Sequence, residues 1–303
     1  MEIEEILEHI LLLKNHDEVR EICRGYSGAK KYMVKADGKS YFLKIQNWPA
    51  RENIENILQN AGVVHAHIFE TGKIDDFFYL VEEFVEGEDF DNRFTDYSEE
   101  KIREIASSIG EKYGNFRSEF PDRKITKEEY VYIKKRVEKD LKGLKNFLPK
   151  DYFDRENLKL FKRMVKFAHH NLKRFKKCFV SFCHNDIKPS NFIVNNKKEI
   201  VAVDCEEAHY TNIAFATRYG IITHNAEIFE KHIAFVEGFI EGYFKKNVPD
   251  YVFKDLFYFY VEMSLFSISN AVKYVNKEMV NKEFELLKSG KIGNHYLKDL
   301  IKK

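Results

Sequence analysis

The chain has almost no excess charge: 50 Lys and Arg against 49 Asp and Glu leave a formal +1. No global field is available to grip a polyphosphate backbone, so nucleic acid is not an expected partner. Cysteine is scarce. The four residues at 23, 178, 183 and 205 have neither CxxC pairing nor metal-ligand spacing with histidine, which argues against a disulfide framework or zinc knuckle and predicts free, mostly buried thiols. No run approaches the ~20 apolar residues of a membrane span, and Met1 to Glu5 is acidic where a secretory signal is basic. The expectation is a soluble, cytoplasmic protein without a membrane partner. Internal repeats and low-complexity linkers are also missing. What remains is 303 residues, 44% of them apolar, ample for a substantial core in one large or two ordinary domains.

The first part reads as a short helix followed by strands. Glu4 to Leu13 carries an apolar stripe, and 18–24, 31–35 and 40–45 look extended, with Asp37-Gly38 supplying a tight hairpin turn between the last two. Arg51 to Ala61 has Ile54, Ile57 and Leu58 at helical spacing, after Pro49 and before a stop at Gly62. Strands follow near 67–69 and 77–84, and the pattern breaks at 86–88. From residue 98 the periodicity is largely helical, over 98–113, 126–147, 153–175, 226–245 and 250–277. One interruption stands out. Between Cys178 and Val203 come a short apolar run, a polar loop, an extended 191–194, a turn at 195–198 and an extended 199–203.

That polar loop carries the strongest chemical signal, HNDIKPSN from His184 to Asn191, followed after a predicted hairpin by Asp204-Cys205-Glu206. An Asp and an Asn five residues apart in one loop can face opposite sides of a phosphoryl-transfer site, the Asp toward an acceptor hydroxyl and the Asn toward a metal. A second Asp after the hairpin then completes an oxygen-rich set. Magnesium keeps waters and phosphate oxygens in its octahedral shell, so one amide and one or two carboxylates are sufficient protein ligands.

With these two motifs in that order, the sequence resembles the kinase-like phosphotransferases, in particular the aminoglycoside phosphotransferase and choline kinase group. The resemblance implies an α+β, bilobal protein-kinase-like fold: a small antiparallel-sheet lobe for the nucleotide over residues 1–86, a hinge at about 83–88, and a larger, mainly helical lobe over 87–303 for catalysis and acceptor binding. It implies Asp186 as catalytic base, Asn191 and Asp204 as magnesium ligands, Glu206 as a further metal-site carboxylate and His184 as a brace of the loop. Lys44, on the third predicted strand, stands where the group places its phosphate-contacting lysine. Glu52 stands where its ion-pair partner belongs, with Glu55, one turn on, as the alternative. Gly25, Ser27 and Gly28 occupy the position of the phosphate-covering loop, and an ordinary hairpin turn is the competing reading of that segment. Glu83, Phe84 and Val85 correspond to the hinge, which puts Glu82 at the back of the nucleotide pocket, where an apolar side chain is usual.

The implied co-substrates are Mg2+, ATP or GTP, and an acceptor. No Ala-Pro-Glu follows Asp204 and helical pattern soon resumes, which favours a small-molecule acceptor over a protein; a protein Ser/Thr kinase and a nucleotide-binding pseudokinase scaffold remain as alternatives. Glu230, Glu237 and Glu241, with Glu227 nearby, form an acidic stripe on the helix predicted over 226–245. It reads either as a solvated face or as a holder for a cationic acceptor such as an aminoglycoside, choline or ethanolamine analogue. Oligomeric state is not encoded in any motif.

Overall fold

Strand-forming sequence dominates the first ninety residues because β-branched and aromatic side chains recur at alternate positions there. In the computed structural model, which describes residues 3–23, 28–142, 152–221, 223, 225–274, 277–293, 295–296 and 300, these residues form β1 (His16–Glu21), β2 (Lys30–Ala36), β3 (Lys39–Gln46), β4 (Ile68–Ile74) and β5 (Phe77–Glu83). They build one antiparallel sheet in the order β1-β2-β3-β5-β4. Asp37 and Gly38 both adopt left-handed φ, 50° and 73°, the geometry of a two-residue hairpin whose twist matches its strands. Helix α1 (Ile3–His9) lays Ile6 and Leu7 on a core shared with Val34, Leu43 and Val81.

Helix α2 (Ile54–Asn60) begins later than the apolar spacing predicts, because Asn53 sits in the left-handed region at φ 57° and cannot belong to the helix. A short strand β6 (Gly87–Asp89) follows β5. Contacts divide the chain into two compact units that are not contiguous in sequence: Met1–Asp89 with Phe192–Ala208, and Phe90–Asn191 with His209–Lys303. The hairpin β9 (Phe192–Asn195) and β10 (Ile200–Ala202) therefore belongs with the first unit, where β9 pairs with β6 and Ala202 bonds to Val64 and Ala66. Its turn falls where expected, with the Asn195 side chain accepting from the amides of Lys197 and Glu199.

The second unit is mainly helical. It holds α3 (Glu99–Gly114), α4 (Lys127–Leu141), α5 (Arg155–Asn171), α6 (Ile213–Ala216), α7 (Phe229–Tyr243), α8 (Asp250–Tyr274) and α9 (Lys277–Ser289), with a small sheet of β7 (Arg123–Lys124), β8 (Phe179–Cys183) and β11 (His209–Thr211). The helices match the predicted spans closely, except that α4 stops at Leu141. Residues 143–151, which include the rest of that predicted span, lie outside the described residues. Cys178, Cys183 and Cys205 are free and buried, and Cys23 is free and exposed. Among the described residues no helix is long and apolar enough to cross a membrane.

Helices α3 and α7 are packed backbone to backbone. Side chains at Gly110 and Gly114 would strike the Phe239 and Tyr243 carbonyls, and side chains at Gly238 and Gly242 would strike those of Arg103 and Ser107. Arg103 then closes the pair with ion pairs to Glu237 and Glu241. Elsewhere in the unit, the fully buried Glu262 of α8 lies against Asp140 of α4. Burial, opposed by Arg218 and reinforced by Asp140, pushes its pKa up to about 8, so the carboxyl stays protonated at neutral pH.

Two outcomes follow from this packing. Gly242→Ala is expected to destabilise the protein by about 2–3 kcal/mol, since the added methyl meets backbone that cannot rotate away, and a thermal or urea melt checks it. For Glu262, the unfolded side chain ionises near ~4.3 while the folded one keeps its proton to about 8. Stability is therefore full at low pH and drains away as pH rises through that window. Glu262→Gln should flatten the decline between pH 5 and 8; melting curves that fall in parallel for the two proteins would contradict the assignment.

Candidate active site

In the first unit, β3 carries Lys44 into the interior, where its ammonium bonds to Asp204 at 2.5 Å and to Glu206. The lysine is almost fully buried, as is Glu206. Burial works against its charge, but Glu206 and Asp204 outweigh that and hold its pKa above the usual lysine value. Asp204 is placed by the end of β10 and adopts a left-handed φ of 62°, opening the 3-10 turn Cys205–Glu207. Asp is among the few residue types that enter this region without large cost. The Glu206 carbonyl also accepts from the Arg51 amide at 2.9 Å, which pins the turn.

Glu82, on β5, is buried near the same group. Burial, then Glu206 and Asp204, push its pKa well above the carboxylate range, with Lys44 acting the other way. Three carboxyl groups thus crowd one ammonium.

The ion-pair partner expected for Lys44 needs correction. Lys44 pairs with Asp204 and Glu206, not with Glu52 or Glu55. Because Asn53 breaks the helix before it starts, Glu52 precedes α2 and is exposed. Glu55 is committed elsewhere: it accepts from the Ile68 amide and binds the His65 and His67 rings at 2.9 and 2.7 Å. Burial opposes its ionisation, and the Ile68 amide and the two imidazoles more than compensate, leaving its pKa lowered.

Gly25 and Ser27 lie outside the described residues; Gly28 has φ 73° with open space around its Cα, a position suited to glycine. At the expected hinge, the Glu83 amide donates to the His67 carbonyl at 2.8 Å and the Phe84 amide to Ser40 at 3.3 Å. Among the described backbone bonds, the Val85 amide is uncommitted.

The second unit builds the loop from His184 to Asn191 at the end of β8. His184 is buried, and its Nδ1 accepts the Asp186 amide at 2.9 Å. Asn191 closes the loop, donating from its side chain to the Asp186 carbonyl at 2.8 Å and, less tightly, to Oδ2 at 3.3 Å. Its amide nitrogen is thereby used within the loop, and its carbonyl oxygen is the atom with metal-binding chemistry. Lys188 donates to Asp186 Oδ2 at 2.5 Å. Asp186 Oδ1 is buried with no protein partner, an acceptor atom available for a hydroxyl proton. Sequence reasoning quoted Lys188 but assigned it no role; its signal was the two-residue spacing from Asp186, which in an extended loop turns both side chains the same way.

The acidic stripe on α7 is mostly taken up by packing. Glu237 and Glu241 pair with Arg103, and Glu237 also accepts from the Gly293 amide at 2.7 Å. Glu230 remains exposed.

With this geometry in hand, comparison with known proteins is informative. The family model described as choline/ethanolamine kinase matches residues 53–245, a span that holds the loop from His184 to Asn191 and Asp204 to Glu206 and begins after Lys44. A search of curated proteins finds no match. Among solved structures, the chain is similar to a candidate aminoglycoside phosphotransferase from Ralstonia eutropha, at TM-score 0.56 and 12% identity, covering 95% of this chain and 98% of that one. It is similar to a thermostable mutant of an aminoglycoside phosphotransferase (TM-score 0.52, 10% identity, 94% and 97% covered). It is also similar to a microcompartment-associated aminopropanol kinase (TM-score 0.52, 13% identity, 94% of each chain). At such identities these likenesses establish the fold, the α+β, protein-kinase-like architecture of this group.

Removing the Lys44 charge leaves Asp204, Glu206 and Glu82 without their shared cation. Lys44→Met is expected to cost about 3 kcal/mol at neutral pH. A urea melt at neutral pH checks this; an unchanged midpoint would mean the carboxyl groups do not depend on the lysine.

Proposed function

The chain belongs to the choline/ethanolamine kinase family, and from that premise we propose that it transfers the γ-phosphate of ATP or GTP to the hydroxyl of a small amine-bearing alcohol. The observation that carries the reading is the loop around Asp186, whose carboxylate is aimed by Lys188 and Asn191 and whose backbone is braced by His184. Asp186 orients the acceptor hydroxyl and takes its proton as the oxygen attacks the γ-phosphorus; the bond to the β-phosphate oxygen breaks and the nucleoside diphosphate leaves. Lys44 holds the α and β phosphates. The segment assigned to cover them is the one that ends at Gly28, and Glu83 to Val85 are assigned to the base.

Asn191, Asp204 and Glu206 are the residues assigned to Mg2+. Their oxygen-only chemistry fits that ion, and Glu206 Oε2 is a buried acceptor with no protein partner. Among the described residues no three His, Cys, Asp or Glu side chains form a metal-holding group. When bound, magnesium supplies charge neutralisation at the transferring phosphate.

The acceptor class is the finer part of the proposal. The family name and a fold shared with an aminopropanol kinase support an amino alcohol, and the α7 stripe is not needed for it.

Asp186→Asn is expected to lower kcat by at least about 10²-fold while nucleotide affinity stays near wild type, because the change removes a base without changing size. Asn191→Ala and Asp204→Ala should instead raise the magnesium concentration needed for half-maximal rate. A panel of choline, ethanolamine, aminopropanol and neutral sugars as acceptors tests the substrate class; phosphorylation confined to neutral sugars would overturn it.

A further inference from the structure

Lys44 has a second difficulty that its present partners do not solve. Both carboxylates that hold it, Asp204 and Glu206, are assigned to the metal in the reading above, on which this inference rests. The nucleotide phosphates supply counter-charge from one side only, and a buried ammonium that loses both carboxylates needs a partner on the protein side to stay aimed. The two helix-associated candidates are out of play, since Glu52 is exposed and Glu55 is bound to His65, His67 and Ile68.

We infer that Glu82 is the positioning residue for Lys44, the carboxyl group that accepts from the ammonium and keeps it aimed when Asp204 and Glu206 turn to a divalent cation. The strand register makes the case. Phe42 stands opposite Glu82 and Lys44 opposite Leu80 in the antiparallel pair β3–β5, so all four side chains leave the same face of the sheet, with Lys44 and Glu82 as diagonal neighbours. Such neighbours are ~7–8 Å apart at the backbone, within reach of long side chains. Burial agrees: Lys44 is 2% exposed, Glu82 4% and Glu206 1%, so the three occupy one dry environment where charges act strongly on each other. Among the described residues no hydrogen-bond donor is bonded to the Glu82 carboxyl, which leaves it free to take the lysine. An acidic residue at a position where an apolar one is usual, on the strand next to the lysine, then moves the lysine's partner from helix to sheet. It fixes the ammonium from the floor of the pocket, a rigid strand, instead of from a helix.

The experiment reads ADP affinity by calorimetry, with and without magnesium, in wild type, Glu82→Gln and Glu82→Met. Without the metal, Asp204 and Glu206 still hold Lys44, and affinity should change less than twofold. With magnesium, Glu82→Met should weaken ADP about tenfold and Glu82→Gln less, and neither should have any further effect in a Lys44→Met background. Equal losses with and without magnesium, losses that persist when Lys44 is absent, or no loss at all would overturn the assignment. Should Lys44→Met fold poorly, the Lys44 ammonium signal in a nitrogen–proton NMR spectrum of the magnesium–ADP complex gives a second reading. Its hydrogen exchange should quicken at least tenfold in Glu82→Met, and an unchanged rate would count against the idea. A wild type that binds magnesium–ADP yet phosphorylates no acceptor would defeat the proposed function and leave this test standing.

Discussion

One buried ammonium surrounded by carboxyl groups organises the first unit. Lys44 can lie in the interior only because Asp204 and Glu206 meet it there, and those residues can reach it only because the β9–β10 hairpin is tied to β6 on one side and to residues 64–66 on the other. The left-handed turn at Asp204, the Arg51 amide on the Glu206 carbonyl and the burial of Glu82 all serve that meeting. The cluster is over-supplied with negative charge, which is poor design for stability and good design for attracting cations.

The second unit follows a different logic, in which rigidity comes from shape. Helices α3 and α7 touch at their backbones through four glycines, and an arginine locks them through two glutamates. Helices this close have little freedom to slide, because every ridge is backbone and not a flexible side chain. The loop from His184 to Asn191 is treated the same way in miniature, with His184 and Asn191 bonding to the main chain on both sides of Asp186, so that carboxylate has a fixed address.

Much of this was legible in the sequence because it is local. Alternation marked the strands, the left-handed pair Asp37-Gly38 marked their hairpin, and the spacing from His184 to Asn191 and on to Asp204 marked the loop and its companion. What escaped depended on distance in space. The partner of Lys44 is 160 residues away, and no periodicity reports that. Helix α2 was misread because apolar spacing is blind to Asn53, whose left-handed backbone cuts off the first turn. The acidic stripe on α7 was visible, but its neutralising Arg103 lies on another helix. The four-residue glycine spacing on both helices was in plain view and unread, since it signals close approach only once the two helices are known to be partners.

The interleaved division of the chain bears on how the protein is made. Emerging from the ribosome, β1 to β6 are complete long before Phe192–Ala208 exists, yet the first unit includes that segment. At ~5–20 residues per second, the 160 residues separating Lys44 from Asp204 take roughly ten to thirty seconds to synthesise. Throughout that interval the nascent sheet holds a lysine whose counter-ions have not been translated, and β6 has no β9 to pair with. The amino-terminal unit therefore cannot finish folding first, as amino-terminal domains ordinarily do; its completion waits on the segment that follows the His184–Asn191 loop.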